Sequence, residues 1–213
     1  MLAPDQFLAF LLAAVVVTVS PGPDNLMVLA MGMAKGRCRG IAFGLGCALG
    51  CLSHTALAVI GVSALIAASP LAFTALRVVG GLYLLWLGIQ ALRSTGGAQV
   101  GRAGIADQPL SKLFFKGVVA NAINPKVALF FIAFLPQFVV PANGNVGLQM
   151  ALLGLVFTLQ AALLFGLLGY FAGAIGQWLQ PEFDSSKAHF RPTPSNGAGF
   201  RAMGRQKPRY TGC

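Results

Sequence analysis

Long apolar stretches recur along the chain, separated by short segments rich in glycine, proline or charge. The pattern predicts five membrane-spanning helices, since a hydrocarbon core about 30 Å thick requires about 20 apolar residues per helix. The five ranges are 6–33, 40–68, 71–93, 116–140 and 146–179. The first, second and fifth exceed the length of a straight span, which indicates tilt, a break or interfacial ends. We therefore expect an all-α membrane protein, a polytopic helical bundle whose transmembrane domain covers residues 1–179.

The composition changes after Leu179. Residues 180–213 contain prolines, glycines and basic residues but no apolar run. Such a composition does not offset the entropy lost on ordering, so this segment is expected to be a disordered, basic, cytoplasmic tail. A non-native origin, through a reading-frame change or a cloning scar, is one alternative to a native sequence.

The overall composition also indicates a membrane protein. The chain is 56% hydrophobic and 9% charged, whereas a soluble domain is about 25% charged. A net charge of +10 would suggest a nucleic-acid partner in a soluble protein. Here the basic residues lie in loops and in the tail, where membrane orientation explains them, so no nucleic-acid binding is expected.

Basic and uncharged connections alternate along the chain. The segments at 35–39 and 93–116 are basic, whereas those at 69–70 and 141–145 are uncharged. Because basic loops stay in the cytoplasm, the N-terminus is predicted to lie outside. The first residues include no Lys or Arg, so the first apolar run is expected to be a permanent span and not a signal peptide.

Glycines recur at helical spacing in two of the predicted spans. They are Gly40, Gly44, Gly46 and Gly50 in the second span, and Gly166, Gly169, Gly173 and Gly176 in the fifth. Small residues at such spacing let helix backbones approach closely in lipid. Both spans are therefore predicted to pack tightly against neighbouring helices.

Charged residues inside the spans are the main candidates for chemistry, because a charge in the bilayer is costly unless it is paired or faces a cavity. Asp24, Arg77 and Lys126 are the three such residues. Arg77 lies close enough to the end of its span for its side chain to reach the outer surface. Asp24 and Lys126 are each expected roughly 15 Å from the cytoplasmic edge, near the midplane.

Both midplane charges follow proline motifs that should interrupt their helices. Proline removes a backbone donor, and a break at this depth is tolerated only beside protein or a cavity. Two such breaks, in halves that run in opposite directions, are typical of transporters with inverted repeats. The predicted helix-break residues are Ser20, Pro21, Gly22 and Pro23 before Asp24, and Pro125 before Lys126.

This placement predicts a site for a zwitterion. The half-helix that begins at Pro125 presents free N–H groups to a carboxylate, with Asn124 as its cap and Lys126 as an added cation. Asp24, with the Asn25 amide beside it, would bind an ammonium group. In the empty site Asp24 and Lys126 would pair with each other, and in the occupied site each would bind the substrate. Exchange between these two states would couple transport, with a protonated Asp24 as the carrier of the proton.

Each of these residues also has a purely structural interpretation. Asp24 and Lys126 would form a permanent ion pair that fixes helix register. Asn121 would either line the same cavity or hydrogen-bond across helices as a packing contact, and both alternatives stay open.

Metal binding and catalysis are weaker alternatives. Cys47, Cys51 and His54 share one helical face that would suit a soft metal, but no fourth ligand is evident, so neither a metal nor another cofactor is predicted. A membrane enzyme would need clustered acids, a metal set or an activated nucleophile, and the spans contain one acid. The chain is therefore not expected to be an enzyme.

The proline motifs resemble those of the lysine and threonine/homoserine exporter family. The similar segments are Ser-Pro-Gly-Pro-Asp-Asn at 20–25, Asn-Ala-Ile-Asn-Pro-Lys at 121–126 within 117–138, and residues 80–93. The resemblance extends over about residues 1–180. It implies two inverted three-helix halves, often in a homodimer.

The same resemblance implies a function. It implies secondary active export of small amino acids, threonine/homoserine-like or otherwise neutral, across the bacterial cytoplasmic membrane by proton antiport. The match of motifs makes Asp24, Asn25 and Lys126 correspond to substrate or coupling residues.

The chain departs from the family pattern at its sixth span. Pro181–Asp184 and the basic tail occupy that position, so the sixth helix is expected to be missing or replaced. The alternatives are therefore a truncated, non-transporting member of the family, or an exporter of another small cationic or zwitterionic solute.

Overall fold

A computed structural model describes residues 4–93 and 108–188, and within these ranges the chain is helical and has no strand. The helices are α1 (Pro4–Val19), α2 (Pro23–Lys35), α3 (Arg37–Ala68), α4 (Pro70–Arg93), α5 (Leu110–Ala122), α6 (Pro125–Leu129) and α7 (Val146–Ala188). After α6 the chain continues through a π-helical turn at Phe130–Phe134 and 3-10 turns at Leu135–Phe138 and Pro141–Asn143. The predicted all-α class is confirmed.

Two of the predicted spans are broken helices. The axes of α1 and α2 differ by 57°, and those of α5 and the segment Pro125–Phe138 differ by 50°. The cause is local, because Pro21 and Pro23 have no N–H to donate to the carbonyls of Val17 and Val19 four residues earlier. Each proline motif therefore ends one helix and starts another at a new angle.

By length and apolar composition, two helices of the described ranges suffice to cross a membrane, at Arg37–Gly61 and Val146–Leu179. The count rises to four if each broken pair forms one span. Helix α4, predicted to be a full span, has a shorter apolar stretch at Leu71–Leu82. The described part of the chain is therefore a multi-helix membrane domain with two broken spans.

Helix α7 is described from Val146 to Ala188 and so continues past Leu179, where the apolar pattern stops. Residues 180–188, for which disorder is expected from composition, are helical in the described range. Extending an existing helix is much easier than nucleating a new one. An interpretation from composition alone does not include this effect of the preceding helix. The rest of the predicted tail, 189–213, lies outside the described residues, as does the side chain of Arg77.

Helix α3 packs against α2, α5 and α7 through glycines. A Cβ atom on Gly40 would lie 2.9 Å from Gly32 Cα of α2 and 3.1 Å from Gly169 Cα of α7. A Cβ atom on Gly46 would lie 3.1 Å from Gly117 Cα of α5. The predicted tight packing is confirmed at these positions, but a Cβ atom on Gly166 would meet no neighbouring helix within 4 Å.

Aromatic rings hold the chain after α6 against the rest of the bundle. The centroids of Phe130 and Phe131 lie 5.1 Å and 4.9 Å from that of Phe157 on α7. Phe138 makes an edge contact with Phe10 of α1, with the centroids 5.4 Å apart. Offset and edge-to-face contacts of this kind stabilise beyond the area that they bury, so they fix the outgoing end of the second broken span.

Replacing Gly169 by alanine should destabilise the bundle. The new Cβ atom would lie 2.6 Å from the backbone of Gly40 and Ile41, and overpacking of this kind costs about 1–3 kcal/mol. The matched control is Gly166→Ala on the same helix, where the space is open. Thermal unfolding of the purified proteins in detergent should show a lower Tm for Gly169→Ala alone; equal Tm values would contradict the packing described.

Candidate functional site

The two broken helices meet at one cavity. All five residues predicted to bind substrate or couple transport line it: Asp24, Asn25, Asn121, Asn124 and Lys126. Of the helix-break residues, Gly22 also lines the cavity, whereas Ser20, Pro21, Pro23 and Pro125 do not. The wall is completed by Val17, Thr18, Cys51, Val127, Phe157 and Phe165.

Lys126 reaches across from the second break to the first. Its Nζ atom donates a hydrogen bond to the carbonyl oxygen of Ser20, at 2.6 Å. That carbonyl follows the last turn of α1, where the negative end of the helix dipole favours a cation. Gly22 leaves room for the lysine, since a Cβ atom there would lie 3.3 Å from both Lys126 Cδ and Nζ. The ammonium group therefore caps the helix that the first proline motif ends.

Asp24 lies in the first turn of α2 and is 3% exposed. Its Oδ2 atom accepts a hydrogen bond from Asn121 Nδ2 of α5, at 2.8 Å. A carboxylate at a helix N-terminus is stabilised by the helix dipole. Asn121 thus makes the interhelical hydrogen bond and also lines the cavity, so its two proposed roles coincide.

Asp24 and Lys126 do not pair with each other. In the described part of the chain, the carboxylate takes the Asn121 amide as its partner and the ammonium takes the Ser20 carbonyl. A permanent ion pair that fixes helix register is therefore not what the structure contains. Each charge is held by a neutral hydrogen-bond partner.

Side-chain amides satisfy the backbone on both sides of the site. Asn25 Nδ2 donates to the carbonyl of Thr18 at 2.8 Å, a group near the end of α1. Asn124 Oδ1 accepts from the backbone N–H of Lys126 at 3.0 Å, which is the predicted N-cap of α6. Both asparagines thereby hold the helix ends that face the cavity.

His54 supports the second break, a role that sequence reasoning missed. Pro125 cannot donate to the carbonyl of Asn121, four residues earlier. The Asn121 carbonyl instead accepts from Asn124 N at 2.8 Å and from His54 Nε2 at 2.9 Å, so the imidazole carries its proton on Nε2. Proline at 125 signals that the carbonyl at 121 lacks its usual helical donor, but only the packing of α3 on α5 identifies His54 as a replacement.

The face of α3 that carries Cys47, Cys51 and His54 makes hydrogen bonds to backbone carbonyls. Cys51 Sγ donates to the carbonyl of Cys47 at 3.6 Å, and both thiols are buried. Among the described residues, no three His, Cys, Asp or Glu side chains are placed to hold a metal ion.

A polar contact from α7 completes the surroundings of the site. Gln160 Nε2 donates to Thr18 Oγ1 at 2.8 Å, and the Thr18 hydroxyl lines the cavity. A glutamine in an apolar span indicates a polar contact inside the protein, because polar side chains in a bilayer face the protein interior.

The cavity is small in this conformation. Its volume available to the centre of a water molecule is about 10 Å³, which corresponds to roughly one water. A cavity of this volume does not hold an amino acid.

Replacing His54 by leucine should destabilise the second break by about 0.5–1.5 kcal/mol, because the buried Asn121 carbonyl would lose one of its two donors and keep the other, Asn124 N. His54→Gln retains an N–H donor and should recover part of the loss. Thermal unfolding in detergent measures both variants. If leucine and glutamine lower the Tm equally, the hydrogen bond to Asn121 is not the source of the stability.

Comparison with known proteins gives a family and several relatives. The profile of the LysE type translocator family matches residues 15–189. An uncharacterized membrane protein of Vibrio cholerae serotype O1 is 33% identical over 163 residues, covering 75% of this chain and 78% of that protein. A leucine efflux protein of Enterobacter sp. (strain 638) is 32% identical over 152 residues, or 70% of each chain.

A more distant relative is the homoserine/homoserine lactone efflux protein of Salmonella typhimurium. It is 28% identical over 150 residues, covering 70% of this chain and 72% of that protein. No solved structure matches the chain.

Proposed function

The chain belongs to the LysE type translocator family, as its two proline motifs predicted, and we propose that it exports small neutral amino acids by proton antiport. Members of this family are transporters, not enzymes. One relative is named for efflux of leucine and another for efflux of homoserine and homoserine lactone; of these solutes, leucine and homoserine are neutral zwitterions. The observation that carries the proposal is the presence of an acid and a base, each beside a helix break, on the wall of one cavity.

The geometry supports recognition of both charges of an amino acid. The carboxylate of the substrate would replace the Ser20 carbonyl as the partner of Lys126, near the capped N-terminus of α6. The ammonium group would replace the Asn121 amide as the partner of Asp24. Charged partners make stronger hydrogen bonds than neutral ones, so the substrate competes favourably with both internal contacts.

The charge of the cavity wall favours a neutral amino acid. Asp24 is the one acid and Lys126 the one base among the lining residues. The second ammonium group of a dibasic substrate would have no carboxylate partner there, and an unpaired buried charge is costly.

Proton coupling follows from competition at Asp24. The ionised carboxylate binds the ammonium group of the substrate, whereas a proton on the carboxylate removes that attraction. Binding of a proton and of an amino acid is then mutually exclusive, which is the requirement for exchange of one for the other.

The inverted three-helix halves, the homodimer and the outward N-terminus in the bacterial inner membrane stay predictions.

Replacing Lys126 by methionine should lower efflux to the level of cells without the protein. Loss of the cation that binds the substrate carboxylate weakens binding by about 30-fold or more. Release of leucine, alanine and homoserine from preloaded cells is the measurement, with membrane levels checked by immunoblot. Lys116→Met, at an exposed position of α5, is the matched control and should leave efflux unchanged. Normal efflux from Lys126→Met cells would contradict the site.

An imposed pH gradient should drive amino-acid transport in proteoliposomes containing the unsubstituted protein. Asp24→Asn removes the carboxylate that is proposed to exchange a proton for substrate and should abolish this response, whereas Asp5→Asn, at an exposed position of α1, should retain it. Flux of radiolabelled substrate with and without the gradient is the measurement. Flux that does not respond to the gradient in the unsubstituted protein would rule out proton antiport.

A further inference from the structure

A second cavity adjoins the charged one, is much larger, and is partly open at the protein surface, where Val19 of its wall is exposed. The volume that the centre of a water molecule can occupy is about 240 Å³ in this cavity and about 10 Å³ in the charged cavity. The wall of the second cavity has no charged side chain and consists of Thr18, Val19, Asn25, Leu164, Phe165 and Leu168. Thr18, Asn25 and Phe165 line both cavities, so these three residues form the partition between them.

Two of the three partition residues are held in place. Gln160 donates to the Thr18 hydroxyl, and Asn25 donates to the Thr18 carbonyl. The backbone of Phe165 packs against α3, since a Cβ atom on Gly44 would lie 2.9 Å from Phe165 Cβ. Phe165 is 5% exposed and lines both cavities, so a change in its χ angles would connect them.

We infer that the second cavity receives the side chain of the exported amino acid, and that Leu164 and Leu168 set a preference for aliphatic side chains. This inference rests on the proposed export function. When both charged groups of a substrate bind in the first cavity, its side chain has to leave that small space. The partition at Phe165 opens onto the apolar cavity.

The chemistry of the second wall selects the class of side chain. Aliphatic groups gain free energy in proportion to the apolar area that they bury there. A lysine side chain would place an ammonium group against Val19, Leu164 and Leu168 without a charged partner. The charged cavity would thus bind the carboxylate and ammonium groups that all amino acids share, and the apolar cavity would distinguish amino acids by their side chains.

Filling the second cavity should change selectivity. Leu164→Trp and Leu168→Trp should each lower the ratio of leucine to alanine efflux by about tenfold or more, because hydrophobic pockets discriminate a methylene by about that factor. Both amino acids are measured together from the same preloaded cells. Leu163→Trp is the matched control, on the same helix but outside the cavity at 64% exposure, and it should leave the ratio unchanged.

A second substitution keeps the test decisive if tryptophan prevents folding. Leu164→Ala enlarges the cavity and should raise phenylalanine efflux relative to leucine. If the unsubstituted protein exports leucine and alanine but every cavity variant keeps its ratios, the cavity is a lipid contact and the inference is overturned. An equal loss for both amino acids would also overturn it. If the unsubstituted protein exports no amino acid, the proposed function itself fails.

Discussion

The structure depends on how two helices that proline breaks inside an apolar bundle satisfy their backbone groups. No water is present in a bilayer core to accept or donate these hydrogen bonds, so the protein must supply the partners. Lys126 of the second break donates to the Ser20 carbonyl at the end of α1, and His54 of α3 donates to the Asn121 carbonyl that Pro125 leaves without its helical donor. The hydrogen bond from Asn121 to the Asp24 carboxylate then links the side chains of the two breaks.

Close helix packing makes these contacts geometrically available. A Cβ atom on Gly50 of α3 would lie 2.8 Å from Asn121 Cβ, so only glycine at this position allows α5 to approach. That approach brings His54 within 2.9 Å of the Asn121 carbonyl. The glycine pattern of α3 therefore does more than stabilise the bundle, because it sets the distance at which the broken helices meet.

The sequence predicted the features that depend on local chemistry. The all-α class, the interrupted helices, the Asn124 cap and the residues that share the cavity follow from prolines, apolar runs and rare charges. The partners of those residues were not predictable, since Lys126 binds a backbone carbonyl 106 positions away and His54 one 67 positions away. The continuation of α7 past Leu179 does not follow from the apolar pattern, because helix propagation does not require an apolar sequence.

The contact of α7 with α2 and α3 has a consequence for motion. At Gly40 and Gly169 the helices touch through backbone atoms alone. Backbone contacts of this kind require no side chain to change rotamer when packed helices shift by a small shear displacement. Elsewhere along α7 side chains interlock with α3, as Thr55 does at Gly154 and Phe165 at Gly44, so a displacement that leaves every rotamer unchanged is confined to the stretch around Gly40 and Gly169.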